Sequence, residues 1–171
     1  FSAEIRDSAD AFAAGALWGR PYLAAHCRRT DFLRVRRRTT PAADAIAKQL
    51  NDMLAQTGLT QVFIATDDPD ELRAELRGAV RGDVVFFADG GGALDHPGKL
   101  AAAEMWVAAR ASLFIGTVDS RFTMAIQLER GFLGADAADR EFCKDVAGGP
   151  RRQRCPAPAR RRPTQLGAHR E

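Results

Sequence analysis

A chain of 171 residues that is 46% hydrophobic can bury one sizeable core, which sets the expectation of one domain. No run of 18 apolar residues occurs, which excludes a membrane-spanning helix from the sequence, and Glu4, Arg6, Asp7 and Asp10 break the Ala-rich start, so it is no signal-peptide core. The net charge of +3 is uneven: residues 144–171 carry eight Lys/Arg against two acids, while the first 143 residues carry 17 against 20.

In chain order, Ser2 to Leu17 has apolar residues at Ile5, Ala9, Phe12 and Ala13, a helical spacing that Gly19 should stop. Pro21 opens a strand, Tyr22 to Cys27. After a charged loop, Thr40 is expected to cap a second helix that starts at Pro41 and carries the stripe Ala43, Ile46, Ala47, Leu50, Met53 and Leu54 up to Gly58. "QVFIAT", Gln61 to Thr66, reads as a strand buried on both faces. "DDPDELRAEL" then starts a helix with acids and Pro69 in its first turn; Asp68 is read as the cap.

"DVVFF", Asp83 to Phe87, is the third strand. The loop with Gly90, Gly91 and Gly92 matches neither phosphate-cradle motif and is read as a flexible connection. A helix from about Lys99 to Ala111, a strand Ser112 to Gly116 and a last helix within "TVDSRFTMAIQLER" complete the order. Strands alternating with helices predict an α/β fold with a mostly parallel sheet, whose ligands bind beyond the carboxyl ends of the strands.

Those strand ends hold the candidate residues. The first ends in His26, Cys27, Arg28 and Arg29; alternation puts His26 and Arg28 on one side of the sheet. Arg28 beside His26 suits a diphosphate clamp, since a guanidinium presents a fork of donors; a surface arginine paired with Asp31 is the competing reading. Arg29 is taken as structural and paired with Asp31. Arg34, Arg36, Arg37 and Arg38 are read as a solvated face. Glu104 shares a stripe with Leu100, Val107 and Ala111, so it either grips a hydroxyl or base N–H or rotates into solvent. Gly116 would let a ligand approach, Thr117 and Ser120 carry hydroxyls, and the free N–H groups around Ser120, Arg121 and Phe122 form an anion site.

The motifs "PYLAAHCRRTDF", "QVFIATDDP", "EMWVAARASLFIGTVDSRFTMAIQLERGFLG" and "REFC" together resemble the C-terminal half of the GDP-fucose protein O-fucosyltransferases. The resemblance implies one Rossmann-like, GDP-fucose-binding domain over residues 1–143, a half of a two-domain GT-B glycosyltransferase. By the same resemblance His26, Cys27 and Arg28 match the donor-binding H-x-R, with Arg28 the catalytic arginine facing the GDP leaving group. Glu104 stands where an acid contacts the nucleotide, and Ser120, Arg121 and Phe122 match the donor contacts of the last helix. Departures are Cys27 for a larger apolar residue, Glu104 for a shorter acid and Arg121 for a small hydroxyl residue.

Further implications are fucose transfer from GDP-fucose, without a metal or other cofactor, to a Ser or Thr of a folded repeat such as a thrombospondin type 1 repeat. The endoplasmic reticulum lumen is the implied compartment. Without a first methionine the chain is expected to be a fragment or a processed piece, and the resemblance implies that the general base comes from an N-terminal domain outside it. A non-catalytic nucleotide-sugar-binding module and a related fucosyltransferase with another acceptor are the alternatives. Residues 144–171, Arg- and Pro-rich with little to bury, are expected to be a disordered basic tail, with no nucleic-acid partner. Cys143 and Cys155 flank a Gly-Gly-Pro turn, which suits either a disulfide loop or unrelated thiols; the family resemblance implies a disulfide near this end.

Overall fold

A computed structural model describes residues 1–37, 39–68, 70–90, 94 and 96–143. Helix α1 (Ala3–Ala16) is capped by the Ser2 side chain, which accepts from Ile5 N. Strand β1 (Leu23–Cys27) follows, buried at every position, then a one-turn helix α2 (Phe32–Val35) and α3 (Ala43–Thr57). Next come β2 (Gln61–Thr66), α4 (Glu71–Ala79) and β3 (Asp83–Val85). Helix α5 (Pro97–Ala109), β4 (Leu113–Gly116), α6 (Arg121–Phe132) and a two-residue strand β5 (Arg140–Glu141) complete the order.

All strand pairs are parallel, in the order β3-β2-β1-β4-β5. The chain therefore winds outward from β1 to β3, then crosses back to lay β4 on the other side of β1. That reversal makes the carboxyl ends of β1 and β4 the switch point, where the open sheet leaves a crevice. Helices cover both faces. The stripe of α3 packs with Leu72 and Leu76 of α4 against Leu23, Ala25 and Cys27 of β1. On the other face Ala9 and Phe12 of α1, Val107 of α5 and Ile126 of α6 pack against Ala24 and Phe63. Among the described residues no helix is long and apolar enough to cross a membrane.

The α3 stripe is buried at each of its six expected positions, and Gly58 ends the helix at φ 72°, a left-handed conformation that glycine adopts without steric cost. The expected Thr40 cap is not formed. Helix α3 starts at Ala43, and the Thr40 hydroxyl instead donates to Arg36 O at 3.1 Å. Strand β3 stops at Val85, because Phe87–Gly90 turn into a 3-10 helix. Strand β5 was not anticipated. Pro69, Gly91, Gly92 and the tail, with Cys155 and hence the Cys143–Cys155 pairing, lie outside the described residues.

Candidate functional site

At the end of β1 the chain must turn away from the sheet, and the loop after β2 supplies the carboxylates that hold the turn. Asp67 accepts from Arg29 N at 2.8 Å, from Thr30 N at 3.2 Å and from the Thr30 hydroxyl, and it lies 3.3 Å from Arg28 Nε. Asp68 pairs with Arg29 Nε at 3.1 Å, while Arg29 Nη1 donates to Pro41 O at 2.8 Å. Arg29 is thus structural as expected, but its partner is Asp68 and not Asp31. Nor does Asp68 cap α4, whose first turn has no side-chain cap. The strand pairing explains both results: Cys27 lies opposite Thr66, so the residues just beyond each meet across the sheet edge.

Arg28 is left facing outward. Its Nε donates to Asp31 Oδ1 at 2.8 Å, a contact that raises the guanidinium pKa further and holds the Asp31 carboxyl below its usual range. Its terminal nitrogens make no hydrogen bond to the described residues, and its side chain is 39% exposed. The backbone N of Arg28 donates to Thr117 Oγ1 at 2.9 Å, and that hydroxyl donates to His26 O at 3.0 Å, riveting the ends of β1 and β4 together.

Helix α6 begins where β4 ends. Ser120 is its N-cap, with Thr123 N 3.5 Å from the Ser120 hydroxyl, and the N–H groups of Arg121 and Phe122 precede the first intrahelical acceptor. Gly116 is required here, but for a different reason than ligand approach. A Cβ on it would stand 2.3 Å from Thr123 Cγ2 and 2.7 Å from Thr123 Oγ1, so the glycine admits the helix itself. Thr123 in turn bonds His26 Nδ1 at 2.8 Å, and the imidazole lies 4.6 Å from the Phe122 ring. Burial pushes His26 down to about 4, against the opposing pull of Asp67, so the ring is neutral at physiological pH. His26 therefore anchors α6 and lends no positive charge.

Between these two elements lies a groove of about 360 Å³, lined by Arg28, Asp31, Phe32 and Arg36 on one side and by residues 119–122 on the other. Its size falls in the range of small-ligand sites. Of the sequence candidates it brings together Arg28, Ser120, Arg121 and Phe122. His26 and Cys27 lie beneath it. Cys27 is buried on the α3 face, where desolvation pushes its thiol up to about 12, and its carbonyl accepts from the Thr66 hydroxyl at 2.9 Å. Such a thiol is inert as a nucleophile.

Glu104 does not line the groove. It is half-buried on α5, where desolvation pushes its carboxyl up to about 7 despite the attraction of Arg73. Arg36 is exposed, as expected of a solvated face, and it also reaches across the groove to pair with Asp119 and lies over Phe32 with 5.5 Å to the ring centroid. No local pattern signals that pair, whose members are 83 residues apart. Asp119 sits at φ 60°, a left-handed conformation that Asp tolerates better than most residues.

The GDP-fucose protein O-fucosyltransferase family model matches residues 1–133. GDP-fucose protein O-fucosyltransferase 2 of Drosophila melanogaster is 38% identical over 136 residues, which is 76% of this chain and 28% of that protein. The Caenorhabditis elegans protein of the same name is 34% identical over 116 residues, 68% of this chain and 27% of its own length. For the human protein the figures are 32% over 142 residues, 77% and 31%. The chain thus spans about a third or less of the relatives it matches.

The crystal structure of POFUT1 in complex with GDP-fucose superposes with a TM-score of 0.69 at 20% identity, covering 84% of this chain and 47% of that one. The NodZ α-1,6-fucosyltransferase soaked with GDP-fucose gives 0.54 at 22% identity, covering 88% and 47%. At these identities the likeness shows the fold alone, one Rossmann-like half of a GT-B architecture. The family match covers both walls of the groove and the helices that set them, so the chain belongs to the GDP-fucose protein O-fucosyltransferase family.

Proposed function

We propose that this chain is the donor-binding half of a protein O-fucosyltransferase, in which Arg28 and the start of α6 hold the diphosphate of GDP-fucose. The observation that carries the reading is their convergence on one groove: a guanidinium pinned only through Nε, and the unbonded N–H groups of Arg121 and Phe122. Both are donors to phosphate oxygens, and both are in place before charge develops.

In transfer with inversion, the acceptor hydroxyl oxygen attacks the anomeric carbon as the bond to the β-phosphate oxygen breaks. The electron pair leaves with GDP, where Arg28 and the α6 N-terminus stabilise it. These groups supply the counter-charge, so we propose a metal-independent reaction. Glu104 is proposed to accept from N–H groups of the base. The general base and acceptor groove are assigned to the other Rossmann-like domain of the GT-B architecture. A folded thrombospondin type 1 repeat as acceptor and the endoplasmic reticulum lumen as compartment rest on the family resemblance.

One observation favours a second reading, a donor-binding module without transfer. Both groove carboxylates, Asp31 and Asp119, are committed to arginines, and His26 is buried, so the groove offers no free base. Calorimetry with GDP and GDP-fucose tests the donor site. Arg28→Ala should weaken GDP about 10–100-fold, the value of a charged hydrogen bond lost; equal affinity in parent and variant would sink the reading. Fucose transfer to a folded thrombospondin repeat by the full-length gene product separates enzyme from module.

A further inference from the structure

Arg36 lines the same groove, and the donor-site reading gives it no task. Its backbone is fixed: N donates to Phe32 O at 2.7 Å, and its carbonyl accepts from the backbone N–H groups of Thr39 and Thr40 and from both threonine hydroxyls. With the Phe32 ring beneath it, the guanidinium projects across the groove from a rigid point to Asp119.

We infer that Arg36 is a further diphosphate-binding residue and Asp119 its resident counter-ion, so that an entering nucleoside diphosphate takes the Arg36 guanidinium over from the Asp119 carboxylate. The inference rests on the donor-site reading of the groove. A carboxylate and a phosphate offer the same kind of acceptor to a guanidinium fork. The Arg36 and Asp119 side chains are 45% and 57% exposed, and so wet an ion pair is weakly held. A diphosphate carries more negative charge than one carboxylate and would meet both Arg28 and Arg36 in this groove, so the exchange runs toward the ligand. Asp31 is committed to Arg28 and frees no second cation. Two guanidiniums and a helix N-terminus on one groove suit a diphosphate better than a monophosphate.

The test is calorimetry on the full chain with GDP, GMP and inorganic pyrophosphate, for the parent, Asp119→Asn, Arg36→Ala and the double variant. Asn keeps the left-handed backbone at 119, and both side chains are exposed, so the fold should hold; a thermal melt checks it. Asp119→Asn should tighten GDP about threefold to tenfold, because Arg36 no longer has to be released. Arg36→Ala should weaken GDP and pyrophosphate about tenfold and GMP less than about threefold. The double variant should bind GDP about tenfold more weakly than Asp119→Asn alone. If Arg36 only neutralises Asp119, its removal costs nothing once Asp119 is Asn, and that result overturns the inference. A chain that loses GDP on Arg28→Ala but is indifferent to Arg36→Ala overturns the Arg36 assignment alone. A parent that binds no GDP overturns the donor site and this inference with it.

Discussion

Two arginines of this chain meet aspartates and have opposite fates. Arg130, in the last turn of α6, is fully buried; Nε donates to Asp139 at 2.7 Å, Nη1 to Ala109 O and Ala111 O, and Nη2 to Ala135 O. It ties the end of α5, the approach to β4 and the turn after α6 into one unit. Arg28 is half-exposed, is held through Nε by Asp31 and lies close to Asp67, and turns its terminal nitrogens to the groove. The lesson is that pairing with an acid does not sort structural from binding arginines. The number of donors left over does.

The largest effect expected from that contrast is on stability. Arg130→Met strands the Asp139 carboxylate and three carbonyls, and should cost about 3–5 kcal/mol in chemical denaturation. Arg28→Ala should change stability by less than about 1 kcal/mol while removing donor affinity. If Arg130→Met is as stable as the parent, the contrast is broken.

Next comes acid. The His26 pKa is lower folded than unfolded, about 4 against 6.5, so its contribution to stability is present above pH 6.5 and lost as pH falls through 4. The shift converts to about 3 kcal/mol. Denaturation at pH 7, 5 and 4 should show the loss in the parent and a much flatter profile in His26→Gln. A smaller effect is expected from Asp67→Asn, which loosens the turn that presents Arg28. GDP affinity should fall about tenfold, and adding Arg28→Ala should then cost less than it does in the parent. Additive losses would show that Asp67 does not act through Arg28.

A pH effect of the opposite sign is expected from Glu104, whose pKa is higher folded than unfolded. Its contribution is present below pH 4.5 and lost as pH rises through about 7. Glu104→Gln should therefore gain stability relative to the parent at pH 8, and the gain should vanish toward pH 5; a constant difference across that range would contradict the burial of its carboxyl.

The sequence made the helices and central strands legible because their signals are periodic. The six-residue stripe of α3 is an example, as is the buried run of β2. Strand β5 has no such signal: Arg140 and Glu141 are two exposed charged residues that pair with Ile115 and Gly116 at the sheet edge. Of the groove, Arg28 and the α6 start could be read from position at strand ends. The Asp67 contacts to Thr30 and the Arg36–Asp119 pair could not, since they depend on which strands lie side by side. Asp68 reads as a helix cap for the same reason: a local use is visible in the sequence and the long-range one, to Arg29, is not. Arg130 has no local signal, because burying its guanidinium takes partners from two distant stretches, the Ala109 and Ala111 carbonyls before β4 and Ala135 O with Asp139 after α6.

The central claim is that the groove between Arg28 and α6 receives a diphosphate. A crystal structure with GDP bound tests it most directly. The account predicts phosphate oxygens within about 3 Å of Arg28 Nη atoms and of the Phe122 amide nitrogen, hydrogen-bonding distance. GDP ordered elsewhere, with Arg28 still engaged only by Asp31 and Asp67, would contradict it.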